Sequence, residues 1–344
     1  MKASIIVPFY NVENEIGTCL DSIFEQTYPS IEVILVNDCS TDNSLKVVER
    51  YCAAHPRFET IIKTLERNSG ASAARNAGIN CSTGDYLFFL DSDDAISPTC
   101  IEHLTRPLEQ KSYDVVIGDM VETGRVLSTK WKLKLREGEW NNGQSIFSEH
   151  CHQQIYVNPF NKLCRRDVIV DNQLFFLEGV IHEDVLWSLR LCLSIKSMYV
   201  LKEVTYNHIC RPSSVSGKEL WIEEVNAYIR MIPLMRKAIA QSPYKDDKAD
   251  IYSYFDDIFF RRYKLCFMDS WKNEYSTLRD LDPRPVSWMM KNCMKSLMYM
   301  KAHAHCLLPT KLVTSLMMKL LAHRFDEYRT KVSPHRFKKV ENSD

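Results

Sequence analysis

Between Ala3 and Leu90 four short apolar runs alternate with stretches of helical periodicity, and this alternation constrains the fold more than any other feature of the chain. Ala3–Pro8, Glu32–Val36, Thr60–Leu65 and Tyr86–Leu90 read as strands. Glu13–Glu25 puts Ile16, Leu20, Ile23 and Phe24 on one helical face, and Ala71–Ile79 reads as a short alanine-rich helix. Ser40 stands where a cap for the helix after the second strand is expected. Strands joined through helices must run parallel, so the expected class is α/β, a mostly parallel sheet flanked by helices. Val115–Gly118 offers a fifth strand, and Glu183–Ile195 a further helix. From Thr123 to Gly143 the pattern fails, with Trp131 and Trp140 among mixed charges, and irregular hairpins or a loop are expected. Beyond Trp221 the chain reads as helical, broken at Pro243, Pro283, Pro285 and Pro309. Two regions follow: a sheet domain over 1–220 and a helical region over 221–344.

Open α/β sheets bind ligands beyond the carboxyl ends of their strands, so the residues after each strand carry the chemistry. The strand Tyr86–Leu90 runs into Asp91, Asp93 and Asp94. Hard oxygen donors at that density suit Mg²⁺ or Mn²⁺ bridging to a diphosphate; a solvated loop or helix cap is the structural alternative. After the first strand, Pro8 and Tyr10 set an aromatic ring on a fixed turn, a platform for a flat base or an ordinary turn. Asp38 ends the second strand, where a carboxylate can accept the imide hydrogen of a uracil or form an Asx turn. Arg67, Gly70, Arg75 and Gly78 bracket the alanine-rich helix, whose start suits a ribose or phosphate and whose small residues equally suit close packing. No GxGxxG and no GxxxxGK occurs, which disfavours a dinucleotide fingerprint and a P-loop. His150-Cys151-His152 and His303-Ala304-His305-Cys306 lack a second ligand pair at finger spacing and read as structural or surface groups rather than zinc sites.

Taken in order, Ser4–Asn11 (SIIVPFYN), Val36–Asp42 (VNDCSTD), Gly70–Gly78 (GASAARNAG), Asp91–Asp94 (DSDD) and the pair Glu183-Asp184 resemble the family 2 inverting glycosyltransferases, which have the GT-A nucleotide-sugar fold. The resemblance runs to about residue 215. It implies that Pro8, Tyr10 and Asp38 contact the nucleoside and that Arg75 lies near the nucleotide. It further implies that Asp91 faces the ribose or a metal-bound water and that Asp93 ligates Mn²⁺ or Mg²⁺, the cofactor expected. Such a cation is the Lewis acid that stabilises charge on a departing nucleoside diphosphate. Displacement with inversion also needs a general base on the opposite face of the sugar. Asp184 is the candidate, with Glu183 in reserve; both also read as acids favoured by a helix dipole. By the same resemblance Lys162 and Arg165 lie under the acceptor cleft, and His208 and Arg211 belong to a loop closing over the donor diphosphate. Asn37 departs from the acid more common at its position.

The implied reaction moves a sugar from a nucleotide diphosphate donor, expected to be a UDP-sugar, to a hydroxyl of a glycan or lipid-linked oligosaccharide in surface polysaccharide assembly. Two other classes compete: a non-catalytic membrane-associated scaffold, which has no need of Asp91, Asp93 and Asp184 together, and a sugar nucleotidyltransferase. The latter calls for a basic glycine-rich loop near the amino terminus, and Asn11–Gly17 contains none.

The zero net charge hides an asymmetry. Arg284–Val340 holds twelve Lys or Arg against Asp326 and Glu327, a net of +10, so the remainder carries −10. Seven of the thirteen methionines fall between Met289 and Met318, and Leu312, Val313, Leu316, Met317, Leu320 and Leu321 recur at helical spacing opposite Lys311 and Lys319. A basic amphipathic helix of this kind caps a domain or lies on anionic lipid, where each cation contributes about 1 kcal/mol. The expectation is a peripheral protein at the cytoplasmic face of the cell membrane, with no nucleic acid partner. Twelve cysteines without a CxxC pair, no leader before Ala3 and no apolar run near the ~20 residues of a bilayer span fit a reduced cytosolic setting, with the cysteines as buried thiols.

Overall fold

The computed structural model describes residues 1–124, 130–131, 133–210, 221–251 and 253–255. Met1–Asp269 form one compact unit and Ser270–Asp344 a second, and the second lies outside the described residues, as does the basic segment Arg284–Val340.

The first half alternates as its hydrophobic pattern requires: β1 (Ala3–Phe9), α1 (Ile16–Phe24), β2 (Ile31–Asn37), α2 (Ser44–Ala54), β3 (Glu59–Thr64), α3 (Ala71–Cys81) and β4 (Tyr86–Phe89). There follow β5 (Ala95–Ile96), α4 (Cys100–Thr105), β6 (Val115–Thr123), β7 (Lys130–Trp131), β8 (Gly138–Trp140), α5 (Gly143–Cys151), β9 (Lys162–Arg165), α6 (Arg166–Asp171), α7 (Glu183–Ser194), β10 (Met198–Ile209) and α8 (Trp221–Gln241). One sheet runs in the order β3-β2-β1-β4-β9-β6-β10-β5, with β7 added to β6 and β8 to β10. Its β1–β4 half is parallel, with Ile6 opposite Ile34 on one side and Phe89 on the other. β9 enters antiparallel between β4 and β6, and β10 returns parallel to β6.

Both faces of the sheet are covered, which explains why β1 and β2 are continuous apolar runs rather than alternating ones. Ile5, Val7, Val33, Leu35 and Phe88 pack with Ile16, Leu20, Ile23 and Val48 on one side. Ile6, Ile34, Val36, Leu87, Phe89 and Ile117 pack with Ala74, Ile79, Trp187 and Leu191 on the other. At Gly78 the backbone of α3 comes so near the sheet that a Cβ would collide with Ile6 Cγ2, so here the close-packing role of this small residue is realised. α8 buries Ala227, Met231, Met235 and Ile239 as a stripe at four-residue spacing and packs on α7, so the helical segment from Trp221 begins inside the first unit.

Four expectations change in three dimensions. Ser40 does not cap α2: Asn37 Oδ1 accepts the Ser40 N–H at 2.9 Å, a turn intervenes, and Asp42 Oδ1 accepts from Ser44 N at 2.9 Å where the helix starts. The fifth strand continues past Gly118 to Thr123 because β10 pairs along its length. Tyr206–Ile209 are strand rather than mobile loop, held in register with Met120–Thr123. Between Thr123 and Gly143 the short strands β7 and β8 add antiparallel edges to β6 and β10. Nine cysteines are described, all free; Cys19, Cys100, Cys151, Cys164 and Cys192 are buried.

Candidate active site

The parallel strands β1, β2 and β4 all end at one edge, and the residues that follow them are laced together. Asn11, with φ of 50°, turns the chain after β1 and accepts from Thr41 N at 2.8 Å through Oδ1, while its own N–H donates to Ser40 Oγ at 3.1 Å. This fixes the turn that carries Tyr10, which is 41% exposed although apolar over most of its surface. Pro8 lies buried one residue before the end of β1, opposite Val36. Asp38, buried at the end of β2, accepts from Ser69 N at 2.8 Å and Gly70 N at 2.7 Å, one through each carboxylate oxygen. Gly70, with φ of +87°, supplies the left-handed geometry that ends this loop and starts α3. Asp38 therefore anchors the distant loop that leads into α3, each of its carboxylate oxygens engaged by a backbone N–H.

One turn into α3, the Arg75 guanidinium is only 7% exposed and bridges two acids from distant parts of the chain: Asp91 Oδ1 at 2.8 Å and Glu183 Oε1 at 2.6 Å. Burial alone lowers the pKa of an arginine, but the two carboxylates more than offset this and hold the guanidinium firmly charged. Its flat face lies 5.3 Å from the Phe176 ring, which stacks on Trp187 at 4.9 Å. The neighbouring Asn76 accepts from Phe176 N at 2.8 Å and donates to Phe176 O at 3.0 Å and Glu178 Oε1 at 3.1 Å. From the other side Arg230 of α8 donates to Gly179 O and, at 3.1 Å, to Glu178 O. The segment 176–184 is thus tied to α3 and α8, and it delivers Glu183 and Asp184 to the first turn of α7.

Asp184 differs from its neighbour. Its Oδ1 is closed to solvent and has no hydrogen-bond partner. Burial, and then the Glu183 charge, raise its pKa above the ordinary aspartate value, with His182 and Arg75 opposing. His182, just before the helix, holds a left-handed φ of 59°, a conformation costly for a residue with a Cβ.

The acids after β4 separate into two roles. Asp94 is 1% exposed and accepts from Tyr206 Oη at 2.7 Å, His208 Nδ1 at 3.1 Å and Ile209 N at 2.8 Å, so it fastens β10 to the β4 turn and faces no ligand. Asp91 and Asp93 remain part-exposed. The field they make with Asp94 is negative: it raises the pKa of the His208 imidazole, chiefly through the Asp94 hydrogen bond, and adds to burial in raising the Cys19 thiol and Tyr206 phenol. Among the described residues no three His, Cys, Asp or Glu side chains form a cation cage. A cation here would take one or two carboxylates from the protein and its other oxygens from a diphosphate and water, which is the coordination Mg²⁺ favours.

Of the other expected residues, Arg165 lies at the wrong end. It pairs with Asp114 at 3.1 Å and Asp167 at 2.6 Å, opposite Tyr86 at the start of β4, because β9 runs antiparallel to β4. Lys162, three residues earlier, falls at the site end but is 1% exposed. Arg211 lies outside the described residues. Asn76, Phe176, Tyr206 and Arg230 were not singled out by sequence, since their roles depend on partners 51 to 112 residues away.

Residues 4–171 match the family model Glycosyl transferase family 2. They form a family 2 glycosyltransferase domain. This family 2 domain resembles the protein named uncharacterized glycosyltransferase YibD of Escherichia coli (strain K12), with 30% identity over 62% of this chain and 63% of that one. The chain thus spans less than two thirds of that relative. The poly(ribitol-phosphate) beta-N-acetylglucosaminyltransferase TarS of Staphylococcus aureus (strain MW2) is 30% identical over 60% of this chain and 35% of its own. The crystal structure of S. aureus TarS 1-349 in complex with UDP-GlcNAc shares the fold, with a TM-score of 0.72, 21% identity and coverage of 95% and 92% of the two chains. The mannosyltransferase PcManGT of Pyrobaculum calidifontis, solved with GDP-Man and Mn²⁺, aligns at a TM-score of 0.53 and 16% identity over 96% of this chain and 88% of its own. The sheet of the family 2 domain is therefore of the GT-A type.

Proposed function

We propose that the protein is an inverting glycosyltransferase that transfers a sugar from a UDP-linked donor to a hydroxyl of a glycan or lipid-linked acceptor in surface polysaccharide synthesis. The observation that carries this reading is Asp184, a carboxylate at a helix start with one oxygen, Oδ1, buried without a partner, next to Glu183, which Arg75 ties to the Asp91 turn where the donor would sit. The relatives support the donor class, since TarS was solved with UDP-GlcNAc.

In this reading Tyr10 stacks on the uracil, Pro8 shapes its ledge, and Asp38 accepts its imide N–H. Arg75 holds Asp91 toward the ribose and Glu183 away from the acceptor, which leaves Asp184 as the base. Asp93, with Asp91, would hold Mn²⁺ or Mg²⁺, which supplies charge stabilisation to the departing diphosphate. Arg211 is assigned to that diphosphate by family resemblance. The acceptor oxygen attacks the anomeric carbon as the bond to the diphosphate oxygen breaks. The diphosphate leaves with the electron pair, and the acceptor proton passes to Asp184. A base of raised pKa is better matched to neutral pH than an ordinary aspartate.

The test is Asp184→Asn. UDP-GlcNAc binding, read by calorimetry, should persist within a few-fold, while transfer falls by about 10²–10⁴. Transfer at the wild-type rate would remove Asp184 from the role of base.

A further inference from the structure

Glu183 and Asp184 open α7 from a stretch of chain that its own sequence does little to hold. Residues 174–182 form neither helix nor strand. His182 stands at the N-cap, yet its side chain does not cap the helix, and it keeps a left-handed φ of 59°. Gly179 is left-handed as well, with φ of +67°. A residue with a Cβ in that region is strained and persists only where its surroundings over-determine it. The placement of Asp184 is therefore set by what grips this stretch from outside.

Much of the grip comes from helix that follows the sheet. Arg230 of α8 sends Nη1 to Gly179 O and, at 3.1 Å, Nη2 to Glu178 O. Both acceptors are main-chain carbonyls, so the guanidinium fork fixes the path of the backbone rather than the pose of one side chain. Asn76 of α3 holds the Glu178 carboxylate from the other side at 3.1 Å. The Tyr228 ring, also on α8, lies 6.2 Å from the His182 ring, within the range of an aromatic pair. Past the two acids, the buried Tyr254 donates from Oη to Val185 O at 3.5 Å. Residues 228–254 thus touch the chain on both sides of Glu183-Asp184. Arg230 itself is exposed and supports no core, so its two bonds serve the stretch before Asp184 rather than the stability of the domain.

We propose that Arg230 is a positioning residue for sugar transfer: by holding the carbonyls of Glu178 and Gly179 it fixes the stretch that aims Asp184 at the acceptor hydroxyl. This rests on the reading of Asp184 as the base. It makes α8, which lies beyond the residues 4–171 that match the family model, part of the catalytic apparatus.

The experiment is a double-mutant cycle on full-length protein, read as the kcat of UDP release from UDP-GlcNAc. Arg230→Met, shown folded by its melting curve, should lower kcat by about 10-fold to 10²-fold, the loss that a displacement of about 1 Å produces, with KM and UDP affinity within about twofold of wild type. Arg230→Lys keeps the charge without the two-pronged fork and should recover part of the loss. In the Asp184→Asn background the Arg230→Met change should cost less than about twofold, since the base that Arg230 positions is gone. An equal loss in both backgrounds overturns the proposal, because Arg230 would then act through something other than Asp184. Wild-type kcat in Arg230→Met overturns it too. If Asp184→Asn alone releases UDP at the wild-type rate, the base reading fails instead. Should Arg230→Met not fold, or wild type not turn over UDP-GlcNAc, amide hydrogen exchange of Arg230→Lys decides: peptides spanning 178–185 must exchange at least about tenfold faster than in wild type, and unchanged exchange overturns the proposal.

Discussion

Replacing Arg75 by methionine tests whether its ion pairs hold the site together or merely decorate it. Methionine conserves most of the volume and the contact with Phe176, so the main change is electrostatic. The substitution strands two carboxylates: Glu183, whose side chain is 16% exposed, and Asp91, at 27%. Removing one partner of a buried pair costs about 3–5 kcal/mol; because Asp91 can recover some hydration, the lower end applies, about 3 kcal/mol. For a folded unit of this size that corresponds to a melting temperature lower by roughly 6–12 °C. The assay is urea and thermal denaturation of wild type, Arg75→Met and the triple variant Arg75→Met/Asp91→Asn/Glu183→Gln. If stranded charge is the cause, the triple variant must be more stable than Arg75→Met, since no uncompensated carboxylate remains. A single variant within about 0.5 kcal/mol of wild type, the range of ordinary surface substitutions, would refute the reasoning. So would a triple variant no more stable than Arg75→Met, because the loss would then be one of packing.

Asp184→Asn should be at least as stable as wild type at pH 7 despite its loss of transfer. The folded-state pKa of Asp184 is raised, so its ionisation opposes folding; the advantage of the variant should shrink as pH falls through that pKa and be gone only below the ordinary aspartate value, where the carboxyl is protonated in the unfolded chain as well. Asp94→Ala should cost about 2–4 kcal/mol by urea unfolding, since Tyr206 Oη, His208 Nδ1 and Ile209 N lose their acceptor together, and a cost below about 1 kcal/mol would argue against the clasp. Gly78→Ala gains about 1 kcal/mol of helix propensity but overpacks against Ile6 at about 1–3 kcal/mol, so a net loss is expected in the melting curve, and a gain would mean that α3 can lift from the sheet. The basic segment Arg284–Val340 should carry full-length protein to phosphatidylserine vesicles in a flotation assay, with a chain ending at Asp269 remaining behind; equal flotation would assign membrane affinity elsewhere.

The legible part of this molecule is the part whose signals are local. β1, β2 and β4 are buried on both faces, so they appear as largely apolar runs, and the carboxyl ends of β2 and β4 are marked by the change from Val36 to Asp38 and from Leu90 to Asp91. α7 was visible because Val185, Leu186, Leu189 and Leu193 repeat at helical spacing behind two acids. β9 was not, because Lys162-Leu163-Cys164-Arg165 carries two cations in four residues and earns its place only by pairing with Phe88 and Val116 from opposite sides. Strand direction was equally hidden. Lys162 and Arg165 look equivalent in sequence, yet antiparallel insertion buries one toward the site end of the strand and sends the other to the far edge of the sheet.

The same limit explains why three aspartates in four residues read as one feature. Asp91, Asp93 and Asp94 share a turn, but Asp94 is claimed by Tyr206, His208 and Ile209, which arrive more than a hundred residues later. Asp91 is claimed by Arg75 and, through it, joined to Glu183. The turn therefore acts less as a ligand cluster than as a junction: one acid anchors β10, another couples the donor end of the sheet to the helix that presents Asp184. Because Arg75 is the sole charged side chain bonded to both ends of that coupling in the described residues, donor-side and base-side geometry cannot shift independently. A variant that loosens Arg75 should therefore impair donor binding and transfer together, whereas one that alters only Asp184 should separate them.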